Sequence, residues 1–489
     1  MTPALFRPLD AFKTADDAEY RLLPFRFMRW SDDTVLLTNE CGEHAFISAH
    51  TFSALTGHRL SSTDSTYADL KAKHFLNDTR STLPLELLAT KIRTKRSFLD
   101  GFTRLHIFVA TLRCDHTCPY CQVSRVTEDR VRFDMSLETA TRAIDWAFRS
   151  PAKELKIEFQ GGEPTLNWPV IVHVVRSATS RAASESRDVG FVIATNLSAI
   201  TDDMLRFCRD HHIHLSTSLD GPADLHNANR PRPGRDSYER FRVNLDRARA
   251  VLGRDQVAAL MTTTPASLMR PTDIIDEYVA LGFDSIFLRP ISPYGFATHT
   301  RLDKAYTAEH FLDFYKRGLD YIVSLNRRGR AIVESYAQVL LRKMLTPFPV
   351  GYVDLQSPAG AAIGVLVYNY DGDVYASDEG RMLAEMGDRS FRLGNLHSDT
   401  YRDVMTGARV LALVDNSCLE TMPGCSECAF APYCGADPVF NWATQSDIVG
   451  YRPTSDFCRR QIGIFRYLFD GLRGNDSFVR DLFLTWAAH

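Results

Sequence analysis

The chain has 489 residues, 57 basic against 60 acidic, and a net charge of -3, which gives no electrostatic case for nucleic acid or a membrane surface as the main partner. Hydrophobic residues make up 45% and charged residues 24%, a globular balance that argues against disorder. No apolar run approaches the ~18 residues of a membrane span, and Met1 to Phe12 shows no basic-then-apolar signal pattern, so the expectation is a cytoplasmic protein of about three domains.

Residues 1–100 read as a separate N-terminal α+β unit. Strand candidates at 35–38 and 44–47 flank the turn Asn39-Glu40-Cys41-Gly42-Glu43, with helical stretches at 49–56 and 65–74. The polar, basic segment 83–98 is helical or linking, and Cys41 is expected to be exposed or half-buried. From Arg104 the pattern becomes strict strand–helix alternation. Strands are expected at 104–111, 155–159, 191–195, 213–218, 256–262 and 285–288, and helices at 137–148, 201–211, 238–252 and 273–281. Asp202 and Asp203 favour the dipole of one helix and Gly282 sits just past the end of another. Six βα units imply a parallel sheet with right-handed crossovers. They are fewer than the eight of a closed barrel, so the expected class is α/β, a partial (β/α)6 TIM-like barrel over residues 101–330. Residues 331–489 form a third region. It has a strand at 364–370, a hairpin turn at Asp371-Gly372 leading into Val374-Tyr375, a cysteine-rich stretch, and an amphipathic helix at 461–472.

Eight of the ten cysteines fall in two groups, and in a cytoplasmic chain of this size such clusters read as metal ligands before disulfides. Cys114, Cys118 and Cys121 have the spacing C-x3-C-x2-C just after the first barrel strand. Three thiolates on one loop can hold three irons of a [4Fe-4S] cube and leave the fourth open; the alternative is a zinc site completed by His116 or a distant residue. Gln160-Gly161-Gly162-Glu163-Pro164 follows the second strand and Thr195-Asn196 ends the third. Ser218-Leu219-Asp220-Gly221-Pro222 ends the fourth, with His226 and Arg230 just beyond, while Thr262 to Thr264 end the fifth and Arg289-Pro290 the sixth. Each motif alone reads as an ordinary turn. Together they lie on the strand C-terminal face, where barrel active sites are built. Gly161 and Gly162 are expected to let a ligand approach the backbone closely. Cys208 reads as a buried thiol, and His211, His212 and His214 as surface or core residues rather than ligands.

Cys114, Cys118 and Cys121, with Tyr120 before the last, resemble the radical S-adenosylmethionine (SAM) signature. Gly161-Gly162-Glu163-Pro164 resembles the backbone site for the SAM amino group. Ser218 and Arg230 match positions that hold the SAM carboxylate or ribose in related enzymes, and Asn196 matches another such contact. The resemblance covers roughly residues 104–290. It implies reductive cleavage of SAM to methionine and a 5′-deoxyadenosyl radical, with an electron donor such as flavodoxin or ferredoxin.

Cys425-x2-Cys428-x5-Cys434, with Cys458 downstream, resembles the SPASM domain of peptide-modifying radical SAM enzymes, which usually carries two auxiliary [4Fe-4S] clusters. Ser357, Ser377 and Pro438 stand where cysteines of the inner cluster are common, so one auxiliary cluster is expected, on Cys425, Cys428, Cys434 and Cys458. Cys418 is a fifth ligand candidate, an alternative to Cys458, or simply buried; a structural zinc knot is the alternative for the whole set. The N-terminal unit resembles a winged-helix leader-peptide recognition element, which would bind an extended leader at a sheet edge; the alternative is an extension that only packs on the barrel. The whole chain resembles the radical SAM maturases (B-type) of the His-Xaa-Ser peptide system, through Leu23-Pro24-Phe25-Arg26-Phe27, the stretch from Thr111 to Arg125, and Ala431-Pro432-Tyr433-Cys434-Gly435. That implies a ribosomally made precursor peptide and a second radical SAM maturase as partners. The competing classes are an anaerobic sulfatase maturase and a non-catalytic iron–sulfur scaffold that delivers a peptide.

Overall fold

Leu105–Thr111 is an almost uninterrupted apolar run buried along nearly its whole length, as a parallel strand covered on both faces should be. In the computed structural model, which describes residues 8–13, 19–126 and 129–488, it stands beside Glu154–Gly161. Asp188–Ala194, His214–Ser218 and Val257–Leu260 follow in that order, all parallel. Residues 1–7 of the stretch read for a signal pattern lie outside the described residues. Helices Leu137–Ala147, Trp168–Glu185, Asp202–Asp210 and Ser237–Leu252 return the chain between successive strands. Trp168–Glu185 is absent from the sequence reading because its start is β-branched. Its buried Val170, Ile171, Val174, Val175 and Ala178 nevertheless recur at helical spacing, and Pro169 sits in the first turn, where its fixed φ suits a helix start.

Two features extend this sheet beyond the expected barrel. Val365–Tyr368 lies parallel to Leu105–Thr111, with Val365 opposite Leu105. It turns at Asp371-Gly372 into Asp373–Tyr375, which pairs in turn with Arg392–Asn395. The hairpin of the third region thus continues the barrel's own sheet. The sixth strand, Ser285–Ile286, pairs with Val333–Glu334 and meets the fifth through a bridge between Thr263 and Pro290. Buried Glu334 holds this edge by side chain: its carboxylate accepts from Leu288 N (3.0 Å), Ala337 N (2.6 Å) and Tyr315 Oη (2.5 Å).

The N-terminal sheet has three antiparallel strands, Phe25–Arg29, Thr34–Asn39 and His44–Ser48. The first escaped the sequence reading because it mixes arginine with aromatic residues. The middle strand is buried on both faces. One face packs with Leu55, Leu70 and Phe75 of its own unit. The other meets the C-terminal region. Thr38 Oγ1 donates to Ala429 O (2.7 Å), Arg26 Nε to Ser426 O (2.5 Å), and Tyr433 Oη to Gly42 O (2.9 Å). Phe469 of helix Asp456–Arg473 sits among the rings of Trp30, His44, Phe46, Phe430 and Tyr433. Cys41 is buried, contrary to expectation, because Lys95 and Tyr433 close over its turn; burial pushes its thiol up to about 11. Cys208 is buried as expected. Among the described residues no helix is long and apolar enough to cross a membrane.

Phe469→Ala should cost about 3–5 kcal/mol, the range for truncating a buried aromatic. It should loosen the N-terminal sheet and the C-terminal helix together, seen as parallel loss of amide-exchange protection in both. Stability should also fall with acid. Burial depresses His106 and His226 to about 3, against 6.5 when free. The unfolded chain therefore takes up protons that the folded chain refuses. Each histidine removes about 1.4 kcal/mol per pH unit as pH drops below 6.5, until the folded pKa is reached. Urea titrations at pH 7, 6 and 5 would measure the slope.

Candidate active site

The cysteine loop is launched from the end of the first strand and held at its base by backbone. Cys114 N donates to Val126 O (3.0 Å) and Val126 N to Leu112 O (2.8 Å). Arg113 makes a two-point contact with Asp134, Nε to Oδ1 (2.7 Å) and Nη2 to Oδ2 (2.8 Å), and also reaches Leu166 O. Gly162 N donates to Thr111 O (2.8 Å) and Glu163 N to Arg113 O (2.7 Å). A Cβ on Gly161 would stand 1.9 Å from Thr111 O, and one on Gly162 would stand 2.3 Å from Arg113 O. The chain's own backbone thus already requires glycine at both positions.

Glu163 is fully buried and ties two strand ends together. Its Oε1 accepts from Thr165 Oγ1 (2.6 Å) and Thr195 Oγ1 (2.7 Å), and its Oε2 from Asn196 N (2.8 Å). Burial raises its pKa while these donors oppose the rise. Pro164 opens the short helical turn that follows. Asn196 faces the cysteine loop: its Nδ2 lies 2.9 Å from Asp115 Oδ1, 3.0 Å from His116 Nδ1 and 3.9 Å from Cys114 Sγ.

His116 is buried with both ring nitrogens engaged. Nδ1 meets Asp115 Oδ1 (2.9 Å) and Asn196, and Nε2 meets Ser237 Oγ (2.8 Å), which in turn lies 3.1 Å from His226 Nε2. Cys114, Asp115 and His116 offer ligand atoms within 4.8 Å of one another. A single-ion site there would have to break these contacts, which disfavours the zinc alternative. Cys118, by contrast, feels Cys121, Arg230 and Asp220; burial pushes its thiol up to about 12.

Tyr120 and Arg230 converge on Asp220. Tyr120 Oη donates to Asp220 Oδ2 (2.6 Å), and Arg230 grips both carboxylate oxygens at 3.0 and 3.1 Å. The guanidinium also lies 5.5 Å from the Tyr120 ring centre. Asp220 Oδ1 further accepts from Thr262 N (3.2 Å), so this one carboxylate joins the fourth strand end, the fifth, and the cysteine loop. Asp220 was legible only as the first half of an Asp-Gly turn. Nothing in the sequence separates a turn aspartate from a buried hub except Arg230 ten residues on. Ser218 ends the fourth strand half-buried, level with Leu260.

Cys425, Cys428, Cys434 and Cys458 come together. Cys434 and Cys458 each feel the charge of Cys425 and Cys428, and burial pushes the two thiols up to about 12 and about 11. No three of these sulfurs lie within 4.8 Å of one another. Arg452 faces Cys425 and Cys428, and the buried Lys343 ammonium donates to Cys434 O (2.6 Å). Cys418 stands apart, its thiol on Val414 O and its charged neighbours Glu420, Arg96 and Asp415. Ser357 Oγ donates to Glu420, Ser377 caps helix Asp378–Glu385, and Pro438 opens helix Pro438–Gln445. None of these three side chains is a thiolate that could ligate an inner cluster.

Asp220→Ala should cost about 3–5 kcal/mol, because it strands the buried Arg230 charge. Arg230→Met in the same background should recover part of that loss, and a double-mutant cycle by urea denaturation would measure the coupling.

Residues 108–267 match the Radical SAM superfamily. An uncharacterized protein of Methanocaldococcus jannaschii is 29% identical over 123 residues, 25% of this chain and 40% of that protein's length. A cysteine-type anaerobic sulfatase-maturating enzyme of Clostridium novyi is 25% identical over 120 residues, 24% of this chain and 32% of its own. The chain thus spans less than half the length of these curated relatives. Among solved structures, native anSMEcpe with bound AdoMet superposes with a TM-score of 0.61 at 16% identity, covering 79% of this chain and 100% of that one. Streptococcus suis SuiB bound to the precursor peptide SuiA superposes with a TM-score of 0.53 at 12% identity, covering 90% and 99%. The family's cofactors are a [4Fe-4S] cluster and SAM, and the thiols of the loop fit the first. The partial barrel that carries this cysteine loop is a Radical SAM domain.

Proposed function

We propose that the chain is a radical SAM enzyme that modifies a ribosomally made precursor peptide of the His-Xaa-Ser type. The observation that carries this reading is the loop geometry. Cys114, Cys118 and Cys121 leave one strand end on a loop whose other partners, Gly161 to Glu163, Asn196, Asp220 and Arg230, belong to the neighbouring strand ends. When bound, the cluster supplies the electron that cleaves SAM to methionine and the 5′-deoxyadenosyl radical. The protein's part is positional. Glu163 and Asp115 hold Asn196 against the loop, and Asp220 orients Tyr120 and Arg230, which would contact SAM. Cys425, Cys428, Cys434 and Cys458 would hold one auxiliary [4Fe-4S] cluster. With no open iron, its role would be electron transfer or support. Flavodoxin or ferredoxin would supply electrons, and a second radical SAM maturase would share the peptide.

The N-terminal unit, residues 1–100, would hold the leader at the edge strand Phe25–Arg29, where the side chain of Phe27 is 54% exposed. Its intimate packing on the C-terminal region favours testing this with point changes, because deletion would bare the Phe469 cluster. A SuiB structure complexed with its precursor peptide supports a peptide substrate. The second reading is an anaerobic sulfatase maturase, favoured by the Clostridium novyi relative; Ser357, Ser377 and Pro438 count against its inner cluster.

Anaerobic reconstitution should yield about eight irons per chain, from two cubes. With dithionite and SAM the protein should release 5′-deoxyadenosine. Cys114→Ala, Cys118→Ala or Cys121→Ala should abolish that product, and the triple variant should keep about four irons. SAM cleavage by the triple variant at the wild-type rate would overturn the reading. Firm zinc content would point to a knot at the second site.

A further inference from the structure

The loop after the sixth strand presses on the cysteine loop. Phe296 N donates to Cys121 O (2.7 Å), and a Cβ on Gly295, whose φ is 58°, would stand 2.5 Å from Gln122 O. Helix Asp378–Glu385 touches the same loop from the other side, where Arg381 Nη1 donates to Val123 O (3.1 Å). Between them lies a two-lobed cavity of about 120 and about 190 Å3, whose lobes share Arg289, Tyr352, Asp354, Glu379 and Asp437. Ser377 and Pro438 line the second lobe.

The walls are rich in acceptors. Among the described residues no ion pair reaches Asp354, Glu379 or Asp437, nor the two arginines, Arg289 and Arg460, that line the cavity. Asp437 gives one oxygen to Phe440 N (2.9 Å) as a helix cap. Two further side chains lining the first lobe are buried without a partner: the Tyr294 hydroxyl, on a residue 2% exposed, and Gln461 Oε1, on a residue 6% exposed. Gln461 spends its amide NH2 on Tyr336, so what it turns to the cavity is an acceptor. With Glu158 and Asp378, which also line the second lobe, five carboxyl groups face two guanidiniums; Asp378 is paired with Arg381, and the rest leave negative charge uncompensated when all are ionised. Burial and mutual repulsion answer by pushing Asp354, Glu379 and Asp437 up to about 7. The carboxyl oxygens do not gather within 4.8 Å as metal ligands would. Aromatic rings of Phe287, Tyr336 and Tyr352 line the rest, and such rings accept an aliphatic stem and favour a cation.

We propose that this cavity is the subsite for a basic side chain of the substrate, its ammonium or guanidinium received by Asp354, Glu379 and Asp437. The assignment rests on the peptide-modifying reading above and adds the chemical class of the side chain recognised. Saturation-transfer NMR on the reconstituted full chain would compare N-acetyl-lysine amide and N-acetyl-arginine amide with N-acetyl-norleucine amide and N-acetyl-glutamate amide. At least one basic amide should bind tenfold or more tighter than the norleucine amide, and the glutamate amide more weakly than either. The preference should shrink to within twofold in Asp354→Asn/Glu379→Gln, with iron content confirming that the variant is folded. Should that double variant lose its iron, Glu379→Gln alone reads the same preference, since its carboxyl makes no ion pair among the described residues. Equal affinity for the norleucine and basic amides in the wild type overturns the proposal, as does an unchanged preference in a folded variant. Formation of 5′-deoxyadenosine by the wild type, measured on the same sample, reads the radical SAM assignment separately.

Discussion

The site depends on one contact between backbones. Thr111 to Arg113, leaving the first strand, run so close to Gly161 to Glu163, leaving the second, that neither glycine position has room for a Cβ. The two hydrogen bonds across this contact set the direction in which the cysteine loop departs. They also aim Glu163 inward, where it accepts from Thr165, Thr195 and the backbone of Asn196. Asn196 is thereby turned toward Asp115 and His116, and His116 passes the connection through Ser237 to His226 and the fourth strand. A chain of buried polar groups, each satisfied by the next, links four strand ends. In a low-dielectric interior such a network is costly to leave partly made, so its members hold one arrangement.

The second cysteine group is framed differently. Its ligand segment, residues 425–434, is clamped between the N-terminal sheet and helix Asp456–Arg473, and the backbone carbonyls of Ser426 and Ala429 are spent on Arg26 and Thr38. The N-terminal unit and the auxiliary site are therefore one packed body. Arg26 ties the sheet's edge strand to this segment, and its charge also bears on Cys428.

The third region shares its sheet with the barrel. Val365–Tyr368 pairs with the first barrel strand, so the walls of the acidic cavity come from both parts: Glu158 and Gln160 from the second strand, Glu379 and Asp437 from beyond the hairpin. That shared construction builds one cavity from two parts of the chain. It also explains why no linker composition marks a boundary there.

Periodicity and spacing alone determined a good deal. The strand–helix alternation, the placing of motifs at strand ends, and the grouping of Cys114, Cys118 and Cys121 could be read because each rests on neighbours close in sequence. Helix Trp168–Glu185 and strand Phe25–Arg29 could not, since local propensity pointed elsewhere and burial decided. Tertiary structure alone settled the pairing of Val365–Tyr368 with Leu105–Thr111, the convergence of Tyr120 and Arg230 on Asp220, and the separation of Cys418 from the other thiols. It also made Gly161 and Gly162 points of backbone crossing. The physical reason is common to all of these. A residue's type states which contacts it can make, but which partner it meets depends on the three-dimensional course of the chain, which brings segments ten to more than two hundred residues apart together only when the sheet forms and water is excluded.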